Sequence, residues 1–132
     1  MENSESNIVY GRHVDASMVE DIGNKIYRII VGRRKFRDPD YSARCLAEDL
    51  GVGHTCLSAV MRMKYNCSYS AFVNNCRIDE AKRLMADSEN DKYSLDDISY
   101  MSGFSNRQSF FNNFNRFAGM SPSEYRKTLR NV

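Results

Sequence analysis

The chain has 132 residues, 42% of them hydrophobic and 27% charged, with seven Gly, two Pro and no Trp, a composition that suits one compact domain or two very small ones sharing a helix. No apolar run exceeds three residues, which excludes a membrane-spanning helix, with its need for roughly 20 apolar residues, and the apolar region of a secretory signal. Nineteen Lys and Arg against seventeen Asp and Glu give a formal charge of only +2, which at first sight argues against a nucleic-acid partner held by bulk charge.

Residues 1–14 are polar and aperiodic and read as a disordered leader or linker stub. From Asp15 the pattern turns helical, with Met18, Ile22, Ile26 and Ile29 forming one stripe that ends near Gly32. A basic connector, Arg33 to Asp40, contains Pro39, which cannot continue a helix. A short helix is predicted from Tyr41, with Leu46, Ala47 and Leu50 on one face and a stop at Gly51. The next runs from about His54 to Tyr65 with Leu57, Val60 and Met61 inward. Two short helices joined across a glycine turn have the form of a helix-turn-helix. A longer helix over 69–87 carries Phe72, Val73, Cys76, Ala81, Leu84 and Met85 as its apolar band.

After the polar break at 87–92 the pattern returns. Tyr41-Ser42, Leu46-Ala47 and Gly51 match Tyr93-Ser94, Ile98-Ser99 and Gly103, each 52 residues on, while Leu57 and Met61 match Phe110 and Phe114 at an offset of 53. One extra residue in the second turn accounts for the slip. Ser94 with Asp97, Ser105 with Gln108, and Ser121 with Glu124 all have capping-box spacing, and Pro122 falls at a first helical position. The fold expected is all-α, about seven helices: a first helix-turn-helix subdomain over 15–68, a linker helix over 69–87 and a second subdomain over 88–132.

The chemistry-bearing residues point away from catalysis. Four cysteines at 45, 56, 67 and 76 are too widely spaced for a zinc site and too few for a disulfide scaffold, so they read as reduced thiols, and no metal or cofactor is expected. His13 and His54 form no ligand pair. Gly51-Val52-Gly53 lacks the third glycine of a dinucleotide loop and follows a helix, not a strand. The pairs Asp79-Glu80 and Asp96-Asp97 read as dipole partners or solvated charge. No enzyme is expected.

Charge position answers the objection raised by the near-neutral sum. No acid lies between Asp49 and Asp79, a window holding Arg62, Lys64 and Arg77, and none lies between Asp97 and Glu124, a window holding Arg107 and Arg116. Each window contains a predicted recognition helix, about 54–65 and about 106–116, so acids at helix starts and linkers offset two basic faces. At 100° per residue Phe110, Phe114 and Phe117 point inward, while Gln108, Asn112, Asn115 and Arg116 point outward. Asn and Gln suit bidentate contact with adenine, and Arg suits guanine or phosphate. Gln108 either closes a capping box with Ser105 or reads bases. Arg107 lies toward the flank, placed to meet Asp96, Asp97 or phosphate. In the first motif Thr55, Ser58, Ala59 and Arg62 point outward. A linker helix of 19 residues spans about 28 Å, against about 34 Å between successive major grooves on one face of a duplex, so a monomer could read an asymmetric site. A helical protein-binding adaptor is the alternative, and it expects apolar outward faces.

The run Ser94 to Arg126, SLDDISYMSGFSNRQSFFNNFNRFAGMSPSEYR, resembles the signature of AraC/XylS-type transcription regulators, through Ile98, Gly103-Phe104, Phe110, Phe114, Gly119, Pro122 and Tyr125-Arg126. Leu46-Ala47, Leu57-Ser58 and FVNNCRIDEAKRLM upstream resemble the family's first motif and linker helix. The likeness covers about residues 15–130. It implies two homeodomain-like units that bind double-stranded DNA, a cytoplasmic role in transcription, and RNA polymerase or a separate sensing domain as further partners. By resemblance Thr55, Ser58 and Ala59 take base-facing positions of the first motif, and Gln108 with Asn112 those of the second. Ala59 and Asn112 stand where the family often has Arg, Asn115-Arg116 replaces a common Lys pair, and Asn66 replaces a usual Gly. The chain is expected to be either a stand-alone minimal regulator or an excised output domain.

Overall fold

The computed structural model describes Ile8, Val9 and residues 12–130. Among these, seven α-helices follow one another: α1 (Ala16–Tyr27), α2 (Ala43–Leu50), α3 (His54–Val60), α4 (Tyr69–Ala86), α5 (Leu95–Ser102), α6 (Arg107–Ala118) and α7 (Pro122–Arg130). The fold is all-α but for a two-residue antiparallel ladder that pairs Ile8 with His13 and Val9 with Arg12, in the segment read from sequence as a leader. Residues 1–7, 10 and 11 of that leader lie outside the described residues. Val14, also assigned to it, is buried in the core.

The chain forms two compact units. One holds the described residues up to Lys35 together with Asp40–Phe72; the other holds Phe36–Pro39 and the described residues from Val73 on.

In the first unit Asp15 caps α1 by accepting from the Met18 amide at 2.9 Å, and Ser42 caps α2 by accepting from the Cys45 amide at 3.2 Å. Each cap satisfies an amide that a helix start would leave unpaired. α1 runs on into a π-helical turn, Arg28–Gly32, and α3 into another, Met61–Tyr65. The wider turn changes which isoleucine is inside. Ile26 and Ile30 are fully buried, whereas Ile29, expected in the stripe, is half-buried, because a π turn brings the fourth residue on, not the third, back to the same face. Leu46, Leu57, Val60 and Met61 complete this core, and the Tyr65 hydroxyl ties it to α1 by donating to Gly23 O at 2.7 Å. α3 with its π turn ends at Asn66, whose φ of +56° puts it in the left-handed region that glycine or asparagine tolerates best.

In the second unit Ile78, Ala81, Leu84 and Met85 of α4 pack with Ile98, Phe104, Phe110 and Phe114. The predicted α4 band omitted Ile78. It also misread Glu80, which is 6% exposed and not a solvated charge: Arg83 donates to it at 2.9 and 3.0 Å, and Arg37 also donates to it. Burial alone would raise the Glu80 carboxyl, but the two guanidiniums hold it at about 2. The connector piece Phe36–Pro39 docks in this unit. Phe36 is buried, and Arg77 donates to Phe36 O at 2.7 Å and Asp38 O at 3.2 Å.

The two-fold repeat is visible in the elements. α2 and α5 each have eight residues, a Ser cap, and a left-handed glycine (Gly51 or Gly103) at the end. The turn then runs from Gly51 to the Gly53 cap of α3, but from Gly103 to the Asn106 cap of α6, which is the extra residue behind the change of offset.

Candidate nucleic-acid interface

α6 is divided cleanly into an inner and an outer side. Phe110 and Phe114 are fully buried, with ring centroids 5.7 Å apart, and Phe111 and Ala118 pack beside them. Phe117, expected inward with them, is 36% exposed: three residues past Phe114 it falls on the flank, and Ala118, four past, takes the inner place. On the outer side Arg107, Gln108, Asn112, Asn115 and Arg116 are all exposed.

Their bonding sorts these residues further. The Ser105–Gln108 capping box does not form. α6 begins one residue later, at Arg107, and Asn106 caps it by accepting from the Ser109 amide at 2.8 Å, so Gln108 stays free of that duty. By contrast the boxes Ser94–Asp97 and Ser121–Glu124 both close, with bonds of 2.9 to 3.1 Å. Asn115 spends its amide on Phe111 O at 3.0 Å. Gln108, Asn112 and Arg116 make no side-chain hydrogen bond among the described residues. Arg107 is shared: it meets Asp96 at 3.2 Å and lies 4.9 Å over the Phe111 ring. Both ions are largely exposed, so this is a weak surface pair that a phosphate could compete for.

On α3 Ser58 is exposed and Thr55 and Ala59 half-buried, and Arg62, in the π turn that follows, is exposed. Arg62 pairs with no carboxylate among the described residues, whereas Lys64 is held by Glu20 at 3.0 Å. With Arg77 bound to the connector, the basic content of the two acid-free windows narrows. Arg62 and Arg116 are the cations left to the solvent face, and Arg107 is the third if it releases Asp96.

The same windows place the chain among known proteins. A family model described as "Helix-turn-helix domain" matches residues 46–128. The chain belongs to this family, as an AraC-type helix-turn-helix protein. It is 30% identical over 86 residues to the Msm operon regulatory protein of Streptococcus mutans, across 65% of this chain and 30% of that protein. To the raffinose operon transcriptional regulatory protein RafR of Pediococcus pentosaceus it is 24% identical over 145 residues, across 89% of this chain and 51% of the relative. The chain thus spans about half, or less, of the curated relatives it matches. Its fold resembles that of the C-terminal domain of AraT, a response regulator from Geobacillus stearothermophilus, with a TM-score of 0.70 at 21% identity over 87% of each chain. Among the described residues no group of His, Cys, Asp and Glu is arranged to hold a metal ion, and no helix is long and apolar enough to cross a membrane.

Proposed function

We propose that this helix-turn-helix protein is a sequence-specific regulator of transcription that binds duplex DNA, laying α3 with its π turn and α6 into successive major grooves. The observation that carries the reading is the outer face of α6: Gln108, Asn112 and Arg116 stand exposed with no bond to the protein to break, on a helix whose other side is a phenylalanine core. An adaptor that binds protein would have needed apolar residues there. Gln108 and Asn112 are assigned to base edges, where amides recognise adenine, and Arg107 and Arg116 to the phosphates beside them. Thr55, Ser58 and Ala59 are short and give the first motif little reach, so it acts chiefly as an anchor through a phosphate contact by Arg62. α4, with 18 residues and about 27 Å of length, supports binding as a monomer. RNA polymerase, or a sensing domain in a longer polypeptide, is the further partner that this role calls for, with the cytoplasm as its place.

Selection of bound sites from random duplex DNA at several salt concentrations tests this. A defined motif should emerge, with affinity falling as salt rises; no motif, or salt-insensitive binding, overturns the reading. Asn112→Ala should relax one or two base pairs at a cost of about 1–3 kcal/mol there. Arg62→Ala and Arg116→Ala should weaken all sequences alike and lower the salt slope by about 0.9 each. If Asn112→Ala leaves the motif unchanged, its assignment is wrong.

A further inference from the structure

The end of α1, the connector and the end of α2 enclose an open cleft of about 500 Å³ that carries Lys25, Arg28, Arg33 and Lys35 on its walls. All four side chains belong to exposed residues. The acid in the lining, Asp49, is already engaged, since the Tyr41 hydroxyl donates to it at 2.6 Å. None of the recognition-face residues Thr55, Ser58, Ala59 and Arg62 lines the cleft.

The backbone that presents these cations is unusual. The π turn over Arg28–Gly32 is closed by the Arg33 amide donating to Arg28 O at 2.9 Å, which fixes where both guanidiniums start. Arg34, next in the chain, has a φ of +60°, a left-handed conformation that is strained for a residue with a Cβ. π turns and left-handed non-glycine residues concentrate at functional places, where the surrounding structure sustains them.

The internal repeat shows that the scaffold does not require this charge. In the second copy α4 stands where α1 stands in the first, and the segment after it, 87–92, reads Asp-Ser-Glu-Asn-Asp-Lys. At the repeat offset of 52, Arg28, Arg33 and Lys35 of the first copy correspond to Glu80, Met85 and Asp87 of the second, and Lys25 corresponds to Arg77. Three of the four cleft cations therefore have no basic counterpart in the second copy, which builds its helix-turn-helix without them.

We propose that this cleft is an anion site for closely spaced phosphates, separate from the recognition faces. Four cations around one acid that already has a donor match a ligand carrying several negative charges at short intervals, and guanidiniums bind phosphate oxygens in pairs. Such phosphates are offered by the backbone of a bound duplex, which rests on the regulator reading, or by a free oligophosphate, which does not.

The test uses the whole chain and the double variant Arg28→Gln/Arg33→Gln, with Arg44→Gln/Lys92→Gln as an equal charge change away from the cleft. Inorganic tripolyphosphate is titrated calorimetrically, and duplex carrying the selected motif is titrated across salt. If the duplex backbone fills the cleft, the cleft variant lowers the salt slope by about 1.8 and leaves the motif unaltered. If a free oligophosphate fills it, tripolyphosphate binds at one saturable site whose affinity falls at least tenfold in the cleft variant, with the duplex slope intact. Either result supports the site. It is overturned if the cleft variant matches the wild type in both titrations, or if the control variant does the same damage. A chain that bound no duplex at all would refute the regulator reading, and the tripolyphosphate titration would still decide the cleft.

Discussion

α3 and α6 occupy the same place in the repeat and are built differently. α3 starts at Gly53 with no side-chain cap and finishes in a π turn. Its inner residues Leu57, Val60 and Met61 are aliphatic or thioether. α6 starts at a capping asparagine and stays α-helical through Ala118. Its inner residues are phenylalanines in ring contact: Phe104 with Phe110 at 5.4 Å, and Phe114 with Tyr125 also at 5.4 Å. The outer faces differ in the same sense, short side chains on α3 and long amides and arginines on α6. What the two copies share is therefore the positions that face inward and the glycine that ends the preceding helix. The outer faces and the basic cleft also differ between the copies and are exposed, which is why they are the places to look for function.

The sharpest way to break this equivalence is at its glycines. Gly51 and Gly103 both have positive φ, +70° and +107°, but a Cβ on Gly51 would meet nothing within 4 Å while one on Gly103 would lie 2.4 Å from Phe36 O and 2.8 Å from the Arg37 Cα. Gly51→Ala should cost about 1 kcal/mol, the conformational penalty alone. Gly103→Ala should cost at least about 3 kcal/mol, since backbone must shift as well. Urea unfolding of both variants measures the difference. Equal losses would mean that docking of the connector does not constrain the second turn.

A second asymmetry is polar. The buried polar or charged residues described, Glu80, Ser99 and Ser102, all belong to the second unit. Because the folded-state Glu80 carboxyl sits at about 2, well under the roughly 4.3 of an unfolded glutamate, its contribution is complete above about pH 4.5 and is lost as pH falls toward 2. Arg37 and Arg83 are 40% and 57% exposed and can rehydrate, so Glu80→Gln should cost about 2 kcal/mol at neutral pH, less than a sealed pair would. The variant should also lose part of the wild type's acid sensitivity below pH 4.5. An unchanged acid limb in thermal unfolding would show that another carboxylate governs it.

The same contrast explains what could be read from the sequence. Helix order, the doubled motif, the slip of one residue and the outer residues of α6 follow from local periods and glycine stops, which need no partner elsewhere. Glu80 was misread because its meaning comes from Arg37, 43 positions away. Arg77 was counted as surface charge for a similar reason, with its partner 41 positions away at Phe36. The pairing of Lys64 with Glu20 likewise removes a cation from the predicted face through a residue 44 positions off. Phe117 and Ile29 were misplaced on a smaller scale, where an idealised 100° step meets a helix flank or a π turn.

The smallest effect concerns the two caps. Asn106→Ala should cost about 1 kcal/mol if α6 keeps its start, whereas Gly53→Asn should stabilise α3 by a few tenths. Ser105 and Gln108, however, have the spacing of a capping box that the native start leaves unused. If loss of Asn106 lets α6 begin one residue earlier, Ser105 and Gln108 engage each other, and the stability loss shrinks to about 0.5 kcal/mol. Gln108 is then withdrawn from the outer face, so, on the proposed assignment, the selected duplex motif should relax at one base pair while the salt slope holds. The two outcomes separate cleanly. A full loss with an unchanged motif means Asn106 alone sets the start of α6, and a partial loss with a relaxed motif means the cap decides which side chains α6 presents.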